Sequence, residues 1–278
     1  MSDFTTTDGM RIYFEDTGTG TGTPLLCLAG LTRNSRDFSF FAPHAADLRM
    51  IAMDYRGRGR SDYDPDFMNY NIFRESHDAI ELLDVLGIEK TFVLGTSRGG
   101  LIAMALAASH PERLAGVILN DVGPVVETSG IAKIMAYVGA QPTAQTYDEA
   151  ALTLQKVMEP QFPGVSLETW RMQAEIQYEK RDDGLALRYD PALRKALIEQ
   201  AASGATPDLW MFFEALREIP TGVIRGANSD VLSADTVAEM HDRHPGLIST
   251  EVPDRGHVPF LNEPQSLDLI QKVLKSAA

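Results

Sequence analysis

Thr91-Phe92-Val93-Leu94-Gly95-Thr96-Ser97-Arg98-Gly99-Gly100-Leu101 decides how this chain is read. Thr91 to Leu94 is an apolar strand, and Leu101 to Ala108 begins an Ala-rich helix that stops before Pro111. Between them stands the pattern G-x-S-x-G. A turn this tight leaves no room for side chains at Gly95 and Gly99. It holds the serine in a strained conformation and sets its hydroxyl clear at the sheet edge. The helix start directly behind favours developing negative charge. Ser97 is therefore the candidate nucleophile.

Outward from this stretch, strands and helices alternate. Thr5 to Thr7 and Met10 to Glu15 flank Asp8-Gly9 as a hairpin. Apolar strands are predicted at Leu25 to Ala29, Arg49 to Asp54 and Leu114 to Leu119, with a helix over Ile72 to Leu86 that Gly87 ends. Short strands apolar on both faces, alternating with helices, indicate a parallel sheet covered on both sides. The alternation stops after Asp121-Val122-Gly123-Pro124. Helical patches follow, including Ile131 to Val138, Glu149 to Met158 and Leu193 to Gln200. The alternation then resumes with a helix capped by Thr206 and opened by Pro207, the strand Gly222 to Arg225, and a helix capped by Ser233. The strand Leu247 to Val252 and a last helix capped by Asn262 close the chain. The division is a core of residues 1–123 and 204–278 and an inserted helical cap of residues 124–203.

A serine hydroxyl needs a base. Of the six histidines, His44, His77, His110, His241 and His244 sit in or at the ends of predicted helices. His257 lies in Asp254-Arg255-Gly256-His257-Val258-Pro259-Phe260, a loop after the last strand that can hang a ring over the carboxyl ends of the strands. The carboxylate that orients the ring should fall between serine and histidine in the chain. Asp230, in the loop after Gly222 to Arg225, is the first choice. Asp121, at the end of Leu114 to Leu119, is the rival. The backbone N–H groups of Leu31 and Arg98 are the candidate oxyanion donors, Gly30 allowing the first to approach.

These residues, with Asp54-Tyr55-Arg56-Gly57-Arg58-Gly59-Arg60-Ser61-Asp62 and Asn120-Asp121-Val122-Gly123-Pro124, resemble the α/β-hydrolase family with a helical cap over nearly the full length. The resemblance implies an α/β fold: a mostly parallel eight-stranded sheet flanked by helices, with the cap inserted. The arginine-glycine stretch resembles the family's turn after its fourth strand and reads as structural. Where many members carry His-Gly at the oxyanion loop, this chain has Ala29-Gly30. Family members with an aspartate nucleophile cleave halides and epoxides, so Ser97 implies acyl chemistry. The implied activity is cleavage of a small carboxylic ester or lactone through an acyl-enzyme. Carbon–carbon hydrolysis of vinylogous ring-cleavage products is the alternative, and a non-catalytic ligand receptor is a third reading.

Substrate choice is expected in the cap, with Met135, Val138, Trp170, Trp210, Phe213 and Val258 as candidate pocket residues. Arg33 and Arg98 are the cations near the site that can meet a carboxylate. With 39 acidic against 25 basic residues and a formal charge of -14, nucleic acid and anionic membrane are poor partners. The single Cys27 cannot form an internal disulfide. The start lacks a secretory pattern, and no apolar run is long enough to span a bilayer. These features lead to the expectation of a cytoplasmic monomer or homodimer acting on a small molecule, with no metal and no cofactor.

Overall fold

The computed structural model describes residues 2–202 and 208–276. Thr206 and Pro207, the expected start of a helix, lie outside the described residues. The apolar runs pair as strands: β1 (Ser2–Thr5), β2 (Arg11–Thr17), β3 (Leu25–Leu28), β4 (Met50–Met53), β5 (Thr91–Thr96) and β6 (Leu114–Asn120). After an insertion come β9 (Thr221–Gly226) and β10 (Ile248–Val252). They form one eight-stranded sheet in the order β1-β2-β4-β3-β5-β6-β9-β10. β1 and β2 are antiparallel additions at one edge, and the remaining pairs are parallel.

Successive residues of a strand serve opposite faces. Leu26 and Leu28 join Ile51, Val93 and Val117 on one face, covered by Ile80 and Leu83 of α1 (Ile72–Val85) and by Ile102 and Leu106 of α2 (Arg98–Ser109). Leu25 and Cys27 join Phe92, Leu94 and Ile118 on the other face, with Leu269, Ile270 and Val273 from the C-terminal helix. Each such side chain removed from water contributes about 2 kcal/mol. Two-sided burial is what makes these strands continuously apolar.

The insertion between β6 and β9 holds α3 (Thr128–Tyr137), α4 (Tyr147–Met158), α5 (Leu167–Gln177), the hairpin β7 (Tyr178–Arg181) and β8 (Gly184–Leu187), and α6 (Leu193–Ala202). The hairpin departs from the mainly helical reading of this insertion. Tyr178-Glu179-Lys180-Arg181 has no apolar alternation, and Asp182-Asp183 is the turn that joins the strands. α7 (Leu209–Glu214) and α8 (Ala234–Arg243) return to the sheet, and α9 (Pro264–Ser276) closes the chain. Ser233 caps α8 by accepting from the Thr236 amide at 3.2 Å. At α9 the expected cap Asn262 gives way to its neighbour. The Glu263 carboxylate accepts from the Phe260 and Leu261 amides, each at 2.9 Å, and from Ser266 Oγ at 3.1 Å.

The junction of β5 and α2 is the tightest part of the fold. A Cβ at Gly99 would stand 2.0 Å from the Leu28 carbonyl oxygen, and one at Gly95 would stand 2.5 Å from the Gly99 backbone. Gly22, in contrast, has nothing within 4 Å. Gly99→Ala should lower unfolding stability by about 3 kcal/mol in urea titration, because backbone on both sides must move. Gly22→Ala should stay within about 0.5 kcal/mol of wild type.

Candidate active site

Ser97 sits between β5 and α2 with φ 51° and ψ -114°, a conformation that side chains rarely adopt. The glycines around it make that backbone possible, and the Ser97 amide is tied to the Asn120 carbonyl at 2.9 Å. Its hydroxyl meets His257 Nε2 at 2.9 Å. His257 Nδ1 in turn meets Asp121 Oδ2 at 2.7 Å. Asp121, fully buried, also accepts from the Gly226 amide at 2.8 Å and from Ser229 Oγ at 2.6 Å. A carboxylate on Nδ1 fixes the tautomer whose Nε2 lone pair faces the serine hydroxyl.

The expectation for Asp230 is therefore corrected. Its carboxylate pairs with Lys133 at 2.5 Å, and the carboxylate oxygen on His257 Nδ1 belongs to Asp121. The reason lies in how the histidine loop runs. β9 and β10 are neighbours, as that expectation required, but the loop after β10 does not stop above β9. It crosses the end of β9 at Gly226, where a Cβ would stand 2.5 Å from the Arg255 and Gly256 carbonyl oxygens. Asn120 Nδ2 then holds the Pro259 carbonyl at 3.2 Å. The ring thus hangs over the end of β6, where Asp121 turns its side chain upward with φ 56°. Aspartate is among the few residues that tolerate this region. In the loop after β9, Ser229 and not Asp230 faces the site.

Leu31 stands in a turn closed by the Arg33 amide on the Gly30 carbonyl at 3.1 Å. A Cβ at Gly30 would lie 3.9 Å from Ser97 Cβ, so this turn borders the nucleophile directly. Arg98 is the first residue of α2, where an N–H has no intrahelical partner. Among the described residues neither the Leu31 nor the Arg98 amide has an acceptor. The arginine-glycine turn supports this loop from below. Tyr55 Oη donates to the Ala29 carbonyl at 3.0 Å, and Arg58 Nε donates to the Leu31 carbonyl at 3.0 Å. Arg58 Nη1 and Arg98 Nε share the buried carboxylate of Glu75 at 2.7 and 2.5 Å. Two guanidinium groups thus converge on one buried carboxylate behind the loop. Nη2 of each is buried without a hydrogen-bond partner. Sequence reading did not single out Arg58 or Glu75 for this support.

The candidate pocket residues divide. Val138 has no exposed surface and packs with Tyr70, Leu187, Tyr189 and Leu193. Trp210 stacks on Arg243 at 3.9 Å and meets Phe213 edge-on, so both aromatics serve packing around α7 and α8. Trp170 joins Phe40, Phe162 and Phe260, fastening the insertion to the loop that carries His257. Met135 and Val258 keep partial exposure. No group of metal-ligating side chains is found among the described residues, and none of the described helices is long and apolar enough to cross a membrane.

Comparison with known proteins shows the family and the fold. The family model described as alpha/beta hydrolase fold matches residues 23–264. A 3-hydroxybutyrate-oligomer hydrolase from Cupriavidus necator is 37% identical over 91% of this chain and 88% of its own. A 2-(acetamidomethylene)succinate hydrolase from Mesorhizobium japonicum is 27% identical over 88% of this chain and 84% of its own. The crystal structure of an alpha/beta hydrolase from Novosphingobium aromaticivorans superposes with a TM-score of 0.91 at 39% identity, covering 99% of this chain and 97% of that one.

Asp121→Asn should slow covalent labelling of Ser97 by a fluorophosphonate about 10⁴-fold, since an amide presents the wrong partner to Nδ1. Asp230→Asn should leave the labelling rate within a few-fold of wild type. Mass spectrometry of the labelled peptide over time gives both rates.

Proposed function

Because the chain belongs to the α/β-hydrolase family, we propose that it hydrolyses small carboxylic esters through an acyl-enzyme, with Ser97 as nucleophile, His257 as base and acid, and Asp121 as the orienting carboxylate. The observation that carries this is the continuous relay from Ser97 Oγ through the His257 ring to a buried, triply hydrogen-bonded Asp121. A site meant only to bind ligand has no use for such a relay.

In the first half-reaction Ser97 Oγ attacks the ester carbonyl while Nε2 takes the hydroxyl proton. The imidazolium that forms is stabilised by Asp121, which stays ionised. The carbonyl oxygen becomes an oxyanion and receives the Leu31 and Arg98 amides, each worth about 3 kcal/mol in the transition state. Collapse of the intermediate breaks the bond to the alkoxy oxygen, which leaves with the proton from Nε2. Water repeats the sequence on the acyl-enzyme. It gives one proton to Nε2, adds its oxygen to the carbonyl carbon, and Ser97 departs with that proton restored.

The name of the Cupriavidus necator relative supports ester cleavage, since oligomers of a hydroxy acid are joined by ester bonds. No metal or cofactor is required by these steps. Wild-type protein should turn over p-nitrophenyl butyrate, and Ser97→Ala should lower kcat by about 10⁶-fold. A vinylogous dienoate bleached faster than the ester is cleaved would replace this reading with carbon–carbon hydrolysis. A Ser97→Ala rate near wild type would remove it altogether.

A further inference from the structure

Two arginines border the nucleophile, and the structure separates their roles. Arg98 is buried against Glu75, so its side chain is committed to the protein. Arg33 is not. Its side chain stays 29% exposed, and its stem lies along Gly30, with Cγ 3.3 Å from where a Cβ would stand, on the glycine that also borders Ser97. Arg33 closes the same turn that presents the Leu31 amide. The guanidinium and the oxyanion donor are therefore parts of one short rigid segment.

What holds the guanidinium is mostly neutral. Nη1 donates to Gln173 Oε1 at 3.2 Å. The Gln177 amide oxygen, turned to face it, accepts from Nη1 at 2.7 Å and from Nη2 at 3.1 Å. Amide oxygens fix the direction of an arginine without cancelling its charge. The Asp37 carboxyl, four residues on, forms an ion pair with Nη1 at 3.6 Å, longer than a hydrogen bond. Burial raises the pKa of Asp37, with Arg33 acting against that rise. Asp230, another acid on this side, is taken by Lys133. Tyr178 and Tyr189 of the insertion feel the Arg33 charge as well, and both have their phenol pKa raised by burial. A half-buried cation with oriented N–H groups, carried on the turn that borders the nucleophile, is a receptor for a planar anion.

Resting on the reading of Ser97 as the nucleophile of an ester hydrolase, we propose that the substrate is an ester carrying a free carboxylate a few bonds from the scissile carbonyl, and that Arg33 binds that carboxylate. Arg33 then determines specificity: it places the carbonyl against Ser97 by holding the other end of the molecule.

The test compares mono-p-nitrophenyl glutarate with its methyl ester, which keeps the acyl chain and removes the charge. Wild-type protein should favour the free acid by about tenfold or more in kcat/KM, the scale of one charge-assisted hydrogen bond. Arg33→Met should bring the ratio close to one, and Arg33→Lys should keep part of it. Equal rates on the two esters in wild type overturn the proposal without any variant. An equal loss on both substrates in Arg33→Met overturns it too, because that is the signature of a structural role. Turnover of neither ester, with Ser97 unlabelled by fluorophosphonate, overturns the hydrolase reading and this inference together.

Discussion

Asp121 has no exposed surface, yet its two oxygens take hydrogen bonds from the Gly226 amide, Ser229 Oγ and His257 Nδ1. Burial alone disfavours an ionised carboxylate, and donors of this kind offset that cost. The three bonds also join parts of the chain that are far apart in sequence: the end of β6, the end of β9 and the loop after β10. Each loses its direction if the carboxylate is absent, and each orphaned donor then costs about 1–3 kcal/mol. The position of the histidine ring, and through it the state of the Ser97 hydroxyl, depends on this junction.

A second buried polar system lies under the oxyanion loop. Arg56 is fully buried and is met by Asp78 at 2.6 Å, Asp64 at 2.5 Å and Asp8 at 3.0 Å. Asp54 accepts the Ser35 amide at 2.6 Å and the Arg60 amide at 2.8 Å. Apolar side chains of similar volume often stabilise a fold as well as buried ion pairs do. What such groups supply here is direction. Arg58 and Tyr55 reach carbonyls on either side of Gly30, so the loop beside Ser97 is fixed by bonds rather than by shape alone.

Much of this was legible in the residues because local rules and the fold agree. Continuous apolar runs such as Leu25 to Leu28 required a sheet covered on both faces, and both faces are covered. Gly95 and Gly99 implied a crowded turn at Ser97, and the turn is crowded. His257 stood out because it alone lay in a loop after the last strand. The carboxylate was missed because loop position along the chain carries no information about how the histidine loop bends back across Gly226. A signal did exist. Asp121 directly follows Asn120 at a strand end, and aspartate is one of the few residues suited to a left-handed turn there. The hairpin of the insertion was missed because Tyr178 to Arg181 shows neither period. The support from Arg58 was missed because burial of an arginine cannot be read from its neighbours in sequence.

The crowding around the nucleophile restricts its neighbours and not the nucleophile itself. An added methyl at Gly95 or Gly99 would run into backbone at 2.5 and 2.0 Å, and one at Gly100 into the Val122 side chain at 2.3 Å. The side chain at 97 projects outward and touches the imidazole. A thiol or a carboxylate would fit the same perch without disturbing the frame. The scaffold is thus conservative in what it excludes and permissive in what it displays. Drift to a different chemistry at this centre requires one codon, while the turn that presents it can scarcely change at all.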